Sequence, residues 1–357
     1  MTTKDPIQTP LFQLNLLIYL CWRSNNVIKP VFLDHGYELF YIGRKIPVQP
    51  DLLTKARRAN PPIAINKLVS PDLILRNKVT KVLLPIECKQ NSFGPDSDNS
   101  KQACALLTLT GNSLSQYFGL AEPNQWKSKV FYVVGEEKSE LMQRTLDSLT
   151  DHLRENKFDL SDYYSLEISI ESDGVYLKCP NNKPCEIFEI DSSIKVMELE
   201  SGETPSFLYL IPIDPDVNLQ SDYEQLEFKE RIRTGIASTI GMKINQKNFS
   251  IEDDELFKSI VEVWDYWDNP DSKKALRSEI GKYVNKVIEE LRKLGLIIYR
   301  DGNSIICSNV EKNISKKVRE YFLSEKFKNG NIELDFEGQL PFEFYYDKTI
   351  SHSDRRR

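Results

Sequence analysis

The sequence contains few of the residues that build metal centres or cross-linked scaffolds. Its 357 residues include three widely separated histidines, and its six cysteines form no Cys-x-x-Cys pair. A structural zinc site needs four ligands, usually supplied by such pairs, so none is expected. The cysteines also lack the dense spacing of a disulfide scaffold, which predicts reduced thiols in an intracellular protein.

Long hydrophobic runs are also missing. The longest apolar stretch, Leu11 to Trp22, is interrupted by Gln13 and Asn15 and is too short to span a bilayer. The first residues lack the basic segment and cleavage site of a secretory signal. No internal repeat is evident, and the composition excludes a fibrous or wholly disordered chain. The sequence therefore predicts a cytoplasmic globular protein without a membrane partner.

Charge is unevenly distributed along the chain. The overall formal charge of -6 taken alone disfavours a nucleic-acid binder. However, residues 41–92 hold ten basic and three acidic side chains, and residues 272–300 hold eight and three. Residues 159–227 hold three basic and sixteen acidic side chains. The two basic stretches are therefore expected to bind a polyanion, and the acidic one marks a separate surface, either for a protein partner or to keep DNA away.

The length exceeds what one hydrophobic core usually supports, which predicts two domains. The first 155 residues show the order α-β-β-β-α-β-α. The elements behind this order are a helix at Leu11–Cys21, a strand-like run at Val31–Ile42, a hairpin of Leu73–Leu75 and Val82–Ile86, a helical stretch at Asp98–Leu120, a strand at Lys129–Val134 and a helix at Ser139–Glu155.

A strand-rich extension from about residue 159 completes the predicted first domain, residues 1–215. Its expected strands are Leu166–Ile170, Val175–Lys178, Ile187–Ile190 and Phe207–Ile213. Residues 216–250 are expected to be a connecting segment, and residues 251–357 a second domain.

The second domain has the pattern of a winged helix-turn-helix. Asp253–Trp267 and Ser272–Leu294 have helical periodicity, and Gly281 is a candidate break within the longer stretch. A hairpin of Leu296–Arg300 and Ser304–Cys307 follows across a tight turn at Asp301–Asn303. Helices followed by such a hairpin predict a DNA-reading helix with a wing.

The central hairpin carries the residues that indicate chemistry. Pro71 and Asp72 lead into its first strand, and Glu87, Cys88 and Lys89 end its second. Side chains alternate along a strand, so Glu87 and Lys89 share a face, and an antiparallel neighbour brings Asp72 opposite them. Two carboxylates and an amine then converge, and carboxylate oxygens are the ligands that Mg²⁺ prefers.

This pattern resembles the PD-(D/E)XK nuclease superfamily, which includes restriction endonucleases, over roughly residues 10–155. The resemblance implies an α/β fold with a restriction-endonuclease-like αβββαβ core. It implies a Mg²⁺ ion, replaceable by Mn²⁺, held by Asp72, Glu87 and the main-chain carbonyl of Cys88. Lys89 would orient the nucleophile or stabilise developing charge during hydrolysis of a DNA phosphodiester. Restriction or antiviral defence is the setting that the family implies.

Two departures from the family pattern stand out. Many members add an acidic ligand from the first helix, but Leu11–Asn26 contains no Asp or Glu. Asp34 and Glu38 are the available substitutes, and Glu38 is taken as the candidate ligand. Pro85 lies inside the second strand and lacks an N–H group, so irregular geometry is expected near Glu87.

Basic residues in the two positive stretches are the candidate DNA contacts. Around the hairpin these are Arg44, Lys45, Arg57 and Arg58, and in the tail Lys282, Lys286 and Arg300. Lys282–Leu294 would be the recognition helix, and Arg300 lies in the wing.

Other interpretations of the same sequence stay open. Asp72, Glu87 and Lys89 also fit an ordinary hairpin. The chain also fits a DNA-binding or assembly subunit with a degenerate nuclease fold, whose acidic middle contacts a protein partner. A recombination or repair nuclease would share the site but act on another DNA. Double-strand cleavage would favour a homodimer.

Overall fold

The structure is a computed structural model, and it describes residues 9–22, 27–94, 97–180, 183, 185, 188, 190, 192–200, 205, 209–211 and 222–324. For residues 222–230, 272 and 279 it describes the backbone alone. Residues 9–211 are referred to below as the N-terminal unit, and residues 222–324 as the C-terminal unit.

The described helices and strands alternate along most of the chain. The helices are α1 (Pro10–Trp22), α2 (Val31–Asp34), α3 (Pro50–Arg58), α4 (Asp98–Leu107), α5 (Gly111–Tyr117), α6 (Ser139–Glu155), α7 (Asp222–Lys243), α8 (Asp253–Ile260), α9 (Pro270–Lys293) and α10 (Lys312–Leu323). The strands are β1 (Glu38–Ile42), β2 (Ile46–Pro47), β3 (Leu68–Val69), β4 (Leu73–Asn77), β5 (Val82–Lys89), β6 (Lys127–Val134), β7 (Asp162–Glu171), β8 (Gly174–Lys178), β9 (Ser193–Glu198), β10 (Phe249–Glu252), β11 (Ile297–Asp301) and β12 (Ser304–Ser308).

A seven-stranded mixed sheet organises the N-terminal unit. Its strand order is β1-β4-β5-β6-β7-β8-β9. The pairs β5–β6 and β6–β7 are parallel, and the other pairs are antiparallel. Parallel neighbours need a crossover connection, and α4, α5 and α6 supply it here. The predicted mixed α/β class is confirmed.

The two faces of this sheet carry different helices. Helix α1 packs on the face of Leu73, Leu75 and Ile86, whereas α4, α5 and α6 cover the face of Ile74 and Leu83. Most of α1 is buried, which explains why its sequence has no charged residue.

Two buried polar side chains of α1 have specific roles. Asn15 donates to the carbonyl of Ile211 and accepts hydrogen bonds from the amides of Leu210 and Ile211, at 2.7 to 2.9 Å. Gln13 lies closer to the end of β5 and is described with the site below. Asn15 thus ties the first helix to a segment almost two hundred residues later.

The C-terminal unit combines helices with a three-stranded antiparallel sheet in the order β10-β12-β11. Helix α7 lies within residues 216–250, which the sequence pattern predicted as a connecting segment. Gly235 allows α7 to approach α8, because a Cβ there would lie 2.3 Å from the Ile260 side chain. The sequence signal for this helix is the spacing of Ile232, Ile236 and Ile240, which are all buried.

Several predicted boundaries differ from the observed ones. Residues 31–42 form α2 and β1 rather than one strand, and Asp98–Leu120 forms two helices because the Thr110 side chain caps α5. Helix α8 ends at Ile260, and α9 continues through Gly281. Strand β9 was not predicted.

Parts of two predicted strands lie outside the described residues. In Ile187–Ile190 only residues 188 and 190 are described, and Ile190 forms an isolated bridge with Cys185. In Phe207–Ile213 the described residues 209–211 are not in a strand.

The two units share one hydrophobic core. Trp267 is fully buried, and its segment pairs with the edge strand β1: the amide of Ile42 donates to Tyr266, and the amide of Asp268 donates to Ile42, both at 2.8 Å. Trp22 contacts the Tyr266 ring edge-on. Among the described helices, none is long and apolar enough to cross a membrane.

Candidate active site

The antiparallel pairing of β4 and β5 brings Asp72 and Glu87 together. Leu73 pairs with Ile86, so the residue before Leu73 lies opposite the residue after Ile86. Leu73 and Ile86 face α1, so the alternation of side chains puts Asp72 and Glu87 on the opposite face. Both carboxylates are buried, with 6% of Asp72 and 2% of Glu87 exposed.

Lys89 lies on the same face and binds Glu87 directly. Its Nζ is 2.6 Å from Glu87 Oε1, and about a fifth of its side chain is exposed. Burial alone would lower the pKa of Lys89, but the carboxylates of Glu87 and Asp72 outweigh it and raise the pKa to about 12. A partly buried ammonium therefore neutralises part of the charge of the two carboxylates.

Asp72 is held by the backbone of the neighbouring strand. Its Oδ2 accepts a hydrogen bond from the Cys88 amide at 2.7 Å, and its main-chain carbonyl accepts one from the Gly43 amide at 3.0 Å. In a strand the N–H and C=O groups of one residue point to the same side, so the Cys88 carbonyl also faces Asp72. The Cys88 side chain is buried on the face of α1.

Pro85 does not disturb this end of β5. The pairing with β6 skips Leu84 and Pro85 and resumes at Ile86 in the same register. The irregularity expected near Glu87 is therefore limited to Leu84 and Pro85, which do not pair with β6. Proline removes one N–H donor but inserts no extra residue, so the register beyond it is unchanged.

Two further polar side chains lie close to this site, and sequence reasoning assigned neither of them to it. Gln13 of α1 is buried and donates from Nε2 to the Lys89 carbonyl at 3.2 Å. Tyr132 of β6 pairs in register with Glu87 and is fully buried. Burial, then the Glu87 carboxylate, raises the pKa of Tyr132 well above its usual value. The only sequence signal was a polar residue within an apolar helix or strand.

Glu38 and Asp34 lie elsewhere. Glu38 pairs with Arg76 across β1 and β4, at the end of β4 opposite to Asp72. Its carboxylate binds Arg76 at 2.6 Å and Lys78 at 2.8 Å. Asp34 is exposed at the end of α2. Glu38 is therefore not part of the site as we describe it.

The basic residues near the hairpin differ in what they contact. Arg44 forms an ion pair with Asp268, and Lys45 forms one with Asp271 at 2.8 Å. Arg57 and Arg58 are exposed at the end of α3. Arg44 and Lys45 therefore join the two units, although Lys45 stays exposed, and Arg57 and Arg58 also present their charges to solvent.

The tail residues divide in a similar way. Lys282 and Lys286 are exposed on one face of α9. Arg300 binds Asp253 with both terminal nitrogens, at 3.1 and 3.0 Å, and so links β11 to the start of α8. A DNA phosphate that binds Arg300 would therefore have to compete with the Asp253 carboxylate.

Within the described part of the chain, no group of three or more His, Cys, Asp or Glu side chains is arranged to hold a metal ion. The site offers two carboxylates and main-chain oxygens. Comparison of the chain with family models, curated proteins and solved structures finds no match.

Proposed function

We propose that the chain is a Mg²⁺-dependent DNA endonuclease, in a restriction or antiviral setting. The observation that carries the proposal is the convergence of Asp72, Glu87 and Lys89 on one face of the β4–β5 hairpin. Buried charged groups are costly to fold around, and strongly perturbed groups concentrate at functional sites.

The donor set fits a Mg²⁺ ion. Mg²⁺ takes one or two protein carboxylates and fills its other positions with water and phosphate oxygens. Asp72 and Glu87 would supply the carboxylates, and the Cys88 carbonyl a third oxygen. Such an ion would lower the pKa of a bound water and neutralise charge on the phosphoryl group.

The side chains of the site have separable roles in this proposal. The Cys88 amide fixes the direction of the Asp72 carboxylate. Lys89 is the most exposed member of the three and leaves Glu87 to contact the attacking water or a phosphate oxygen. Gln13 holds the carbonyl of Lys89 and so fixes the backbone from which this side chain extends.

The architecture supports the same proposal. With the short elements α2, β2, α3 and β3 set aside, the chain order α1, β1, β4, β5, α4–α5, β6 is consistent with the αβββαβ core of the PD-(D/E)XK nucleases. In the C-terminal unit, α7, β10, α8, α9 and the β11–β12 hairpin follow the order of a winged helix-turn-helix. Helix α9 is then the candidate recognition helix, with Lys282 and Lys286 facing DNA.

Cleavage of plasmid DNA tests the proposal. Wild type is expected to nick the plasmid with Mg²⁺ or Mn²⁺ and not with EDTA, and Asp72→Asn and Lys89→Ala are expected to be inactive. Equal nicking by all three proteins, or none by any of them under either condition, would contradict an intrinsic nuclease.

A second candidate is a non-catalytic DNA-binding or assembly subunit. The observation that favours it is that Lys89 already neutralises Glu87 and that no third acidic side chain joins the site among the described residues. Its acidic stretch, residues 159–227, would then contact a protein partner. DNA binding without Mn²⁺ binding in calorimetry would favour this candidate over the nuclease.

A further inference from the structure

Tyr132 lies beside the proposed site, and the mechanism above gives it no role. Strands β5 and β6 are parallel, and their register places Tyr132 next to Glu87. Both side chains lie on the sheet face covered by α4 to α6. Neighbouring strands are about 4.8 Å apart, so the two side chains are adjacent.

The Tyr132 hydroxyl does not serve the packing of the free protein. It is fully buried and has no hydrogen-bond partner in the part of the chain that the structure describes. The ring contacts Phe93, with 5.7 Å between ring centres, and a phenylalanine would fill the same space. A buried hydroxyl without a partner lowers stability, so a partner in another state of the site would explain its presence.

The ion pair between Lys89 and Glu87 defines that other state. Lys89 Nζ lies 2.6 Å from Glu87 Oε1, and a divalent cation on this carboxylate would repel the ammonium while a substrate phosphate would attract it. Once Lys89 turns away, the Glu87 carboxylate, which is 2% exposed in the free protein, loses a charged donor. Tyr132 is the adjacent donor on the same face, and a phenol carries its proton at neutral pH.

We propose that Tyr132 is a positioning residue, whose hydroxyl donates a hydrogen bond to Glu87 after Lys89 has left it. The inference rests on the nuclease function proposed above. It assigns to the protein two arrangements of one carboxylate: one held by Lys89 in the free protein, and one held by Tyr132 when Glu87 faces a cation and Lys89 faces the substrate.

The variant Tyr132→Phe tests this role. It keeps the ring and removes only the hydroxyl, so its unfolding midpoint in urea with EDTA is expected to equal or exceed that of wild type. Its affinity for Mn²⁺ in calorimetry is expected to fall about tenfold, because a hydrogen bond to a charged group is lost in the cation-bound state alone. The rate of plasmid nicking at saturating Mn²⁺ is expected to fall as well.

Ser169→Ala is the matched control. Ser169 lies on β7, and its hydroxyl is also buried without a partner in the described part of the chain. Its removal is expected to leave both Mn²⁺ affinity and nicking unchanged.

Three results would overturn the inference. If Tyr132→Phe binds Mn²⁺ as tightly as wild type and nicks plasmid at the same rate, the positioning role is excluded and the nuclease function stays intact. A loss of stability in EDTA as large as the loss of Mn²⁺ affinity would show a structural role instead. Failure of wild type itself to bind Mn²⁺ and to nick DNA would remove both this inference and the proposed function.

Discussion

At the scale of single residues, Lys89 and a divalent cation compete for the same carboxylates. The ammonium lies 2.6 Å from Glu87 and is attracted by Asp72 as well. Two charges at this separation interact by several kcal/mol even at an effective dielectric constant of about 20. A cation that binds Asp72 and Glu87 therefore competes with Lys89 for Glu87.

Lys89→Met is therefore expected to bind Mn²⁺ about tenfold more tightly than wild type, a gain of about 1.4 kcal/mol, while its nicking activity is lost. The uncharged side chain removes the competitor and keeps most of the packing. Titration calorimetry measures the affinity, and Lys101→Met, which removes an ammonium 2.6 Å from the exposed Asp98, is the control. Weaker binding in Lys89→Met than in wild type would contradict the competition.

Glu38 gives a prediction about pH. Its carboxylate is partly desolvated, which raises its pKa, but Lys78 and Arg76 outweigh this and lower it overall. A folded-state pKa below the unfolded value adds stability above the unfolded pKa, and this stability is lost as the pH falls through the folded pKa. Solvent screens the pair, so its contribution is below about 1 kcal/mol.

Glu38→Gln is accordingly expected to unfold at a slightly lower urea concentration than wild type at pH 7. The difference is expected to shrink as the pH falls below the ordinary glutamate pKa of about 4.3 and to disappear below the lower folded-state pKa. Because Glu38 lies away from Asp72, Mn²⁺ affinity is expected to stay unchanged. A large loss of Mn²⁺ affinity in Glu38→Gln would indicate that Glu38 belongs to the cation site.

At the scale of secondary-structure elements, the sequence predicted the hairpins and helices that are determined by local residue patterns. The β4–β5 hairpin follows from two apolar runs joined by polar residues, and β11–β12 from the turn at Gly302. Helix α6 was predicted with its observed bounds because its leucines repeat at helical spacing. Asp72 and Glu87 were placed opposite each other from strand alternation alone.

What the sequence could not predict depends on contacts between distant segments. Asn15 was considered an interruption of an apolar run, but it binds the backbone of residues 210 and 211. Arg44 was expected to contact DNA, but Asp268 binds it. Tyr132 enters the site only through the register of β5 and β6. None of these partners lies near its residue in the chain.

The exposed lysines of helix α9 give a prediction about DNA binding. Lys282→Ala together with Lys286→Ala is expected to weaken DNA binding about tenfold at low salt, and to reduce the slope of log affinity against log salt by about 2, because two phosphate contacts are lost. Fluorescence anisotropy across a salt series measures both quantities. Lys316→Ala with Lys317→Ala on α10 removes two exposed lysines elsewhere. Equal losses in the two double variants would exclude a specific role for the α9 face.

At the scale of the whole molecule, charge separates the chain into regions of opposite sign, whereas packing joins its two units. Charge separates two basic stretches from an acidic one, and the overall -6 hides this difference. Packing instead joins the two units, because Trp267 lies in the common core and its neighbours extend the sheet beside β1. Ile42, which pairs with this segment, is followed by Gly43, whose amide binds the Asp72 carbonyl. The C-terminal unit is thus connected to the site through three backbone hydrogen bonds, two at Ile42 and one at Gly43.

The central claim is that Asp72, Glu87 and Lys89 form one phosphodiester-hydrolysing site. Glu87 on β5 and Glu167 on β7 are both buried, on the two strands that flank β6 and run parallel to it, and Glu167 accepts a hydrogen bond from the Ser139 hydroxyl at 3.0 Å. Glutamine in place of either residue removes one buried carboxylate and preserves its shape.

The most direct measurement is the Mg²⁺-dependent rate of plasmid nicking by wild type, Glu87→Gln and Glu167→Gln. Glu87→Gln is expected to be slower than wild type by about a hundredfold or more, because charge stabilisation at the phosphoryl group is lost, whereas Glu167→Gln is expected to keep the wild-type rate. Glu87→Gln nicking at the wild-type rate, or no difference between the two variants, would contradict the account.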